Sequence, residues 1–293
     1  MKVRFWGVRG SIAAPGPHTA RYGGNTACVE IQAAGRLMIV DAGTGIRELG
    51  QSLMKNAAGS PIEGSLFIGH THWDHIQGFP FFTPLYVPTS RFSVYGMHGT
   101  TRSFRDVMDG QMHSTYFPVQ MKDLGCRPEF FELNAPVMIG PVKVSYHFLN
   151  HPGITVGFRF EHDGKVVSYI SDHEPYAKLN RSGEFADKED AAVARFVEGS
   201  DLLICEAQYT ADEYLLKKGW GHSTFEDVFD LASKAGAKRV ALFHHDPAHD
   251  DDFLDLFIAG HDTLGLPVSA AREGMVIDLN RQVTARERRT LQA

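Results

Sequence analysis

Three cysteines in 293 residues are too few, and Cys28, Cys126 and Cys205 lie too far apart, for a disulfide framework. None falls in a CxxC spacing, so a thiolate zinc site is not suggested either. Cys28 and Cys205 sit in apolar runs, which predicts buried, inert thiols. No apolar stretch approaches the length that spans a bilayer, and the opening MKVRFWGVRG alternates charged and apolar residues instead of forming a secretory core. The expectation is a soluble, cytoplasmic chain with no membrane partner. Positive charge is also scarce: the formal net charge is -6, which leaves no broad basic footprint for nucleic acid and disfavours extended polyanions, a local basic patch apart. No Pro- or Ser-rich linker and no low-complexity segment divides the chain, so one domain over 1–293 is expected.

What is present is an alternation of strand-like and helical runs. Strands are predicted for KVRFWGV, CVEIQAA, RLMIVDAG and SLFIGH, with IRELGQSLMK helical before the last. RFSVYGM leads to an amphipathic TTRSFRDVMDG. VKVSYHFLN precedes a hairpin, ITVGFRFEHDGKVVSYISD, turning at Asp163-Gly164. DLLICEAQY, helix TFEDVFDLASKAG, strand RVALFHHD, helix DDFLDLFIAGHDTLG and strand GMVIDL complete the pattern. Two packed sheets with helices outside are the simplest layered solution. The segment near 98–133 interrupts the rhythm and is expected to be an insertion or lid.

Fifteen histidines are many, and most suit surface or satisfied core positions. GHTHWDH is different. His70 and His72, alternate residues leaving a strand, point to one side and place two imidazoles on one cation. Asp74 and His75 follow where the chain turns into a helix and face a second cation. Further donors stand where other strands end: His151 after YHFLN, Asp172 after VVSYIS, and His244 or His245 after VALF. A carboxylate such as Asp172 has two oxygens and is able to bridge two ions. Such a His/Asp set suits two divalent ions, Zn²⁺ or Mn²⁺, with iron also compatible.

The pattern His70-x-His72-x-Asp74-His75, followed by His151, Asp172 and a late histidine, resembles the metallo-β-lactamase-fold hydrolases over nearly the whole chain. That resemblance implies a four-layer αβ/βα sandwich with the site on one edge of the two sheets. By position, His70, His72 and His151 would hold one metal, Asp74, His75 and the late histidine the other, and Asp172 would bridge them. The branch's usual leucine, any residue, then histidine favours His244, with His245 as the alternative ligand. Asp41 in VDAGTG matches a position that supports ligand imidazoles through their other nitrogen; a cap or turn aspartate is the plainer alternative.

Glu206 in LLICEAQY and His222 in GWGHST are similar to the glutamate and histidine of the transfer-RNA 3′-processing endonuclease and phosphodiesterase branch. The pair would keep His222 biased toward imidazolium, to stabilise the transition state or protonate the leaving oxygen. With Asp74 these form the expected catalytic set; Ser223 or Thr224 capping a helix beside an exposed His222 is the plainer alternative. The opening RFWGVRGSIAAPGPHTARYGGNTACVEI also resembles that branch, and its Gly-rich bends either present backbone amides or are plain turns. A long Gly/Pro-rich basic arm of the endonucleases is missing from the pattern. A small phosphodiester, foremost a cyclic nucleotide, is therefore the expected substrate, and folded RNA is the less favoured partner. Met112, His113, Tyr116 and Phe117 are expected as pocket walls, lid packing or a dimer contact being the plainer roles. The rivals are a transfer-RNA 3′ endonuclease, a carboxylic ester, thioester or lactone hydrolase, and a non-catalytic metal-binding module. A homodimer is expected from the resemblance alone.

Overall fold

The structure, a computed structural model, describes residues 1–260 and 266–281. In chain order the strands are β1 (Lys2–Gly7), β2 (Cys28–Ala33), β3 (Arg36–Val40), β4 (Glu63–Phe67), β5 (Arg91–Gly96), β6 (Glu129–Glu132), β7 (Val137–Ile139), β8 (Val142–Phe148), β9 (Val156–His162), β10 (Lys165–Ile170), β11 (Leu202–Glu206), β12 (Val240–Phe243), β13 (Val268–Ala270) and β14 (Val276–Asp278). The helices are α1 (Ile46–Ala57), α2 (Trp73–Ile76), α3 (Phe104–Gly110), α4 (Tyr176–Asn180), α5 (Glu184–Phe196), α6 (Ala211–Lys217), α7 (Phe225–Lys234) and α8 (Asp251–Gly260).

The strands form two seven-stranded sheets, ordered β14-β1-β2-β3-β4-β5-β6 and β13-β12-β11-β10-β9-β8-β7. Each is half antiparallel and half parallel: β3 to β6 run parallel in the first, and β10 to β13 in the second. Parallel neighbours need crossovers, and α1, α5, α7 and α8 lie in them. Alternation along each strand decides the layers. Val29 and Ile31 of β2, Met38 and Val40 of β3, Leu202 and Ile204 of β11, and Ala241 and Phe243 of β12 meet in one core between the sheets. Ile39 and Leu66 point the other way, into a layer with Ile46 and Leu49 of α1. Leu203, Cys205, Val240 and Leu242 do the same toward Val228 and Phe229 of α7. This is the expected αβ/βα sandwich.

The hairpin of β9 and β10 turns at Asp163-Gly164, with φ of 50° and 66°. Those paired positive angles suit the tight turn that follows strand twist. All three cysteines are buried and free, and burial raises the Cys28 and Cys205 thiols well above their ordinary range. The expected helix DDFLDLFIAGHDTLG is α8 up to Gly260; its last five positions, 261–265, lie outside the described residues, as does the chain after 281. The segment near 98–133 is built into the body: Phe104, Met108, Met112, Met121 and Leu124 are buried in the α1-side core, and β6 closes the edge of the first sheet. Among the described residues no helix is long and apolar enough to cross a membrane.

Candidate metal centre

The parallel halves of both sheets end on the same rim, and loops leaving the carboxyl ends of strands are where such folds gather chemistry. Asp41 follows β3, His70 to His75 follow β4, His151 follows β8, and Asp172 follows β10. Glu206 is the last residue of β11, and His244 follows β12.

Three donor groups converge there, two of them sharing Asp172 and the third made of Glu206, His222 and His244. In the first, His72 Nδ1 lies 3.1 Å from His151 Nε2, while His70 Nε2 and His151 Nε2 lie 3.3 and 3.6 Å from Asp172 Oδ2. In the second, Asp74 Oδ2 lies 3.2 Å from His75 Nε2 and 3.0 Å from His244 Nε2. Asp172 Oδ1 is 3.3 Å from both of those nitrogens. Within each group the donor atoms are within 4.8 Å of one another, close enough to hold a metal ion. One carboxylate thus turns one oxygen to each of the first two groups. His245 is not among them: its Nε2 donates to Ala271 O at 2.8 Å, so the alternative ligand is corrected in favour of His244.

The donor set fits divalent cations on two grounds. Neither ring nitrogen of buried His70 has a hydrogen-bond partner among the described residues, an arrangement that costs free energy unless the lone pair is used. Burial, with His75 nearby, lowers its pKa to about 4, so it offers a neutral imidazole. At the second group, burial opposes charge on His75, yet Asp74, Asp172 and Asp41 push its proton affinity well above the ordinary value. Burial likewise opposes ionising Asp172, yet His244, His75 and His70 hold it well below the usual carboxylate range. The carboxylates favour positive charge at this point, the demand a cation meets.

Supporting residues orient the imidazoles. Asp41 Oδ2 accepts from His75 Nδ1 at 2.8 Å and from the Tyr169 hydroxyl at 2.6 Å, and its Oδ1 accepts from Gly69 N. It stands behind His75, the supporting position. His151 Nδ1 donates to Gly221 O at 2.8 Å. Gln208 pairs through Oε1 with His244 Nδ1 at 2.9 Å. Sequence reasoning missed Gln208 and Tyr169; Gln208 lies two residues past the end of β11, and only its bond to His244 marks it. The N-terminal bend contributes as well. Ser11 N donates to Asp74 Oδ2 at 2.8 Å, and a Cβ on Gly10 would come within 2.3 Å of His244 Nδ1. Three non-glycine residues with left-handed backbone, Ser11, Asp41 and His244, all lie at this centre, where stored strain is held by surrounding bonds.

The Glu206 and His222 pair differs from expectation. Their closest approach, Glu206 Oε2 to His222 Nδ1, is 3.8 Å, beyond a hydrogen bond. Glu206 instead accepts from the amides of His173, Gln208 and Ser223. Burial, then Asp172, raises its pKa well above normal. His222 is buried, not solvent-exposed, its Nδ1 lacks a partner among the described residues, and burial lowers its pKa to about 3. Burial therefore favours the neutral imidazole, opposite to the expected imidazolium bias. Its ring lies 5.1 Å from that of His151 and 5.3 Å from that of His244, so it does border the centre. Thr224 caps α7 in a capping box with Asp227.

The four expected pocket walls separate. Met112 is fully buried in the α1-side core and presents no surface to a ligand. Phe117 packs on Phe81 with ring centroids 5.2 Å apart, His113 bonds Thr115, and Tyr116 projects into solvent. A cleft of about 240 Å³ beside His70 is lined by the start of that segment instead, including Gly99, Arg102 and Phe104.

Sandwich and donor set together define a metal-binding hydrolase site, and the family follows. Residues 36–245 match the beta-lactamase superfamily domain, so the chain belongs to that superfamily and is a metal-dependent hydrolase of the metallo-β-lactamase fold. It is similar to a ribonuclease Z of Natronomonas pharaonis, 24% identical over 95% of this chain and 98% of that one. Among solved structures, the metallo-β-lactamase fold protein YhfI of Bacillus subtilis covers 94% of this chain and 98% of its own (TM-score 0.67, 19% identity). The short form of human tRNase Z covers 95% and 99% (TM-score 0.62, 20% identity).

Proposed function

We propose that the protein hydrolyses phosphodiester bonds in RNA, in the manner of a transfer-RNA 3′-processing endonuclease. The observation that carries the reading is Asp172 facing two donor groups at once, an arrangement suited to two-metal displacement at phosphorus. The end-to-end likeness to curated ribonuclease Z sequences favours RNA over the cyclic nucleotide that the sequence first suggested. His70, His72, His151 and Asp172 would hold one ion, and Asp74, His75, His244 and Asp172 the other. Bound divalent ions would supply Lewis-acid stabilisation and a nucleophile at neutral pH. The chain's own residues do the rest. Asp41, Gln208 and the Gly221 carbonyl keep His75, His244 and His151 in one tautomer. Ser11 N fixes the Asp74 carboxylate. His222, neutral and beside both His151 and His244, gives a hydrogen bond to the phosphoryl or leaving oxygen, with Glu206 holding the backbone around it through the Ser223 amide.

A small phosphodiester is the second reading, favoured by the formal charge of -6, since grip on folded RNA rests on neutralising phosphates. The test is a side-by-side assay of a precursor transfer RNA carrying a 3′ trailer, 2′,3′- and 3′,5′-cyclic nucleotides, and carboxylic esters, with metal content measured on the same sample. Cleavage at the trailer junction at the highest kcat/KM is expected. Turnover of cyclic nucleotides alone would install the second reading, and ester turnover without diesterase activity would overturn both.

A further inference from the structure

The chain has three tryptophans, and they are treated very differently. Trp6 is buried at 8% exposure, with its Nε1 donating to Glu30 at 2.8 Å. Trp73 and Trp220 are 81% and 61% exposed, and neither stacks on another ring among the described residues. A lone exposed aromatic is ordinary. Each is next in the chain to a residue of the metal centre's edge. Trp73 sits between His72 and Asp74. Trp220 immediately precedes Gly221, whose carbonyl accepts from His151 Nδ1, and His151 faces His72 at 3.1 Å. His72 is the exposed donor residue, so the centre opens beside it, with the buried His151 imidazole directly behind.

The turn that carries Trp220 is also built to stay put. The Glu174 carboxylate, 1% exposed, accepts from Gly219 N at 3.0 Å, from Gly221 N at 3.0 Å and from the Tyr214 hydroxyl. Burying a carboxylate is costly unless it is so satisfied. Gly219 and Gly221 both have φ of 87°, and a Cβ on Gly221 would come within 2.3 Å of His151 Nδ1, so the turn admits glycine on either side of the indole. Lys218, exposed beside it, forms no ion pair among the described residues and adds a cation suited to phosphate. A buried anion thus fixes one turn that both orients a metal-site histidine and carries an exposed indole.

We propose that Trp73 and Trp220 form a two-sided aromatic platform that stacks on the bases next to the scissile phosphate, making the substrate class a base-bearing, single-stranded phosphodiester. This rests on the phosphodiesterase reading above. Leu215 and Leu216, five and four residues before Trp220, are also exposed (76% and 87%), so a contact between two copies of the chain is the competing role that the test must separate.

The test compares thymidine 5′-(p-nitrophenyl phosphate) with ethyl p-nitrophenyl phosphate, which share a leaving group and differ in the base, on metal-loaded wild type and on Trp73→Ala, Trp220→Ala and the corresponding Phe variants. Each Ala change is expected to raise KM for the thymidine ester by about 5- to 100-fold, to leave kcat/KM for the ethyl ester within about twofold, and to be largely rescued by Phe. Equal effects on both esters, no effect on either, or a loss that tracks conversion of a dimer to a monomer in light scattering would overturn the platform. If wild type hydrolyses neither these esters nor the precursor transfer RNA, the diesterase reading fails separately. Adenosine 5′-monophosphate must still quench indole fluorescence where ribose 5-phosphate does not, and the double Ala variant, left with Trp6, must lose that response. Absence of quenching in wild type would overturn the platform by itself.

Discussion

Asp41 and Gln208 act on the same centre from behind, one through His75 Nδ1 and the other through His244 Nδ1. Each leaves the opposite nitrogen, Nε2, turned to Asp74 and Asp172. Outer partners of this kind set tautomer, ring orientation and basicity, and losing one costs about 10- to 100-fold in metal affinity. Asp41→Asn and Gln208→Leu are therefore expected to weaken the Asp74/His75/His244 centre by that order while sparing the His70/His72/His151 centre. Titration of the metal-free protein with Zn²⁺ reads this directly: one of two binding phases should weaken. Equal weakening of both phases would mean that the two centres are not separately supported. At this scale GHTHWDH was legible because its donors are adjacent in the chain. Gln208 was not, because a glutamine carries no metal-ligand signature until a histidine 36 residues later is folded against it.

At the scale of elements, α7 begins three residues after His222, so its N-terminus anchors the loop that borders the centre. Thr224 Oγ1 accepts from Asp227 N, and Asp227 Oδ2 accepts from Thr224 N and Oγ1; Lys178 Nζ donates to both side chains. Replacing Thr224 with Ala should lower stability by about 1 kcal/mol, the usual worth of such a cap. A urea titration would register it as an earlier midpoint with an unchanged slope, and a changed slope would mean that more than the cap was lost. Long periodic elements such as α7, β9 and β10 were readable from pattern. The short edge strands β6, β7 and β13 and the helices α4, α5 and α6 were not assigned from it. β6 and β7 are flanked by polar turns and lie partly exposed, so their pairing comes from the neighbouring strand and not from their own apolar period.

The whole molecule buries several neutral histidines, which makes its stability depend on pH. His173, His222 and His245 each have a pKa lowered to about 3, burial being the largest cause. A depressed folded value means that the unfolded chain takes up protons near its ordinary 6.5 while the folded chain does not until about 3. Their contribution is complete above pH 6.5 and is lost as pH falls toward 3. The thermal midpoint should therefore drop steadily between pH 7 and 4.5, and His245→Gln, outside the donor groups, should flatten that slope. A midpoint independent of pH over this range would contradict the burial of neutral imidazoles.

The sequence by itself determined the alternation that makes two sheets with helices outside, and it placed histidines and carboxylates at strand ends, because both are local properties of residue order and period. Only the tertiary structure decided which of His244 and His245 faces the centre. The backbone turns to a φ of 57° at His244, while His245 is drawn to the Ala271 carbonyl. It likewise decided that Glu206 supports backbone amides and stands 3.8 Å from His222, and that Met112 lies in the core. Those outcomes depend on distances between segments far apart in the chain, which packing sets and no local pattern records.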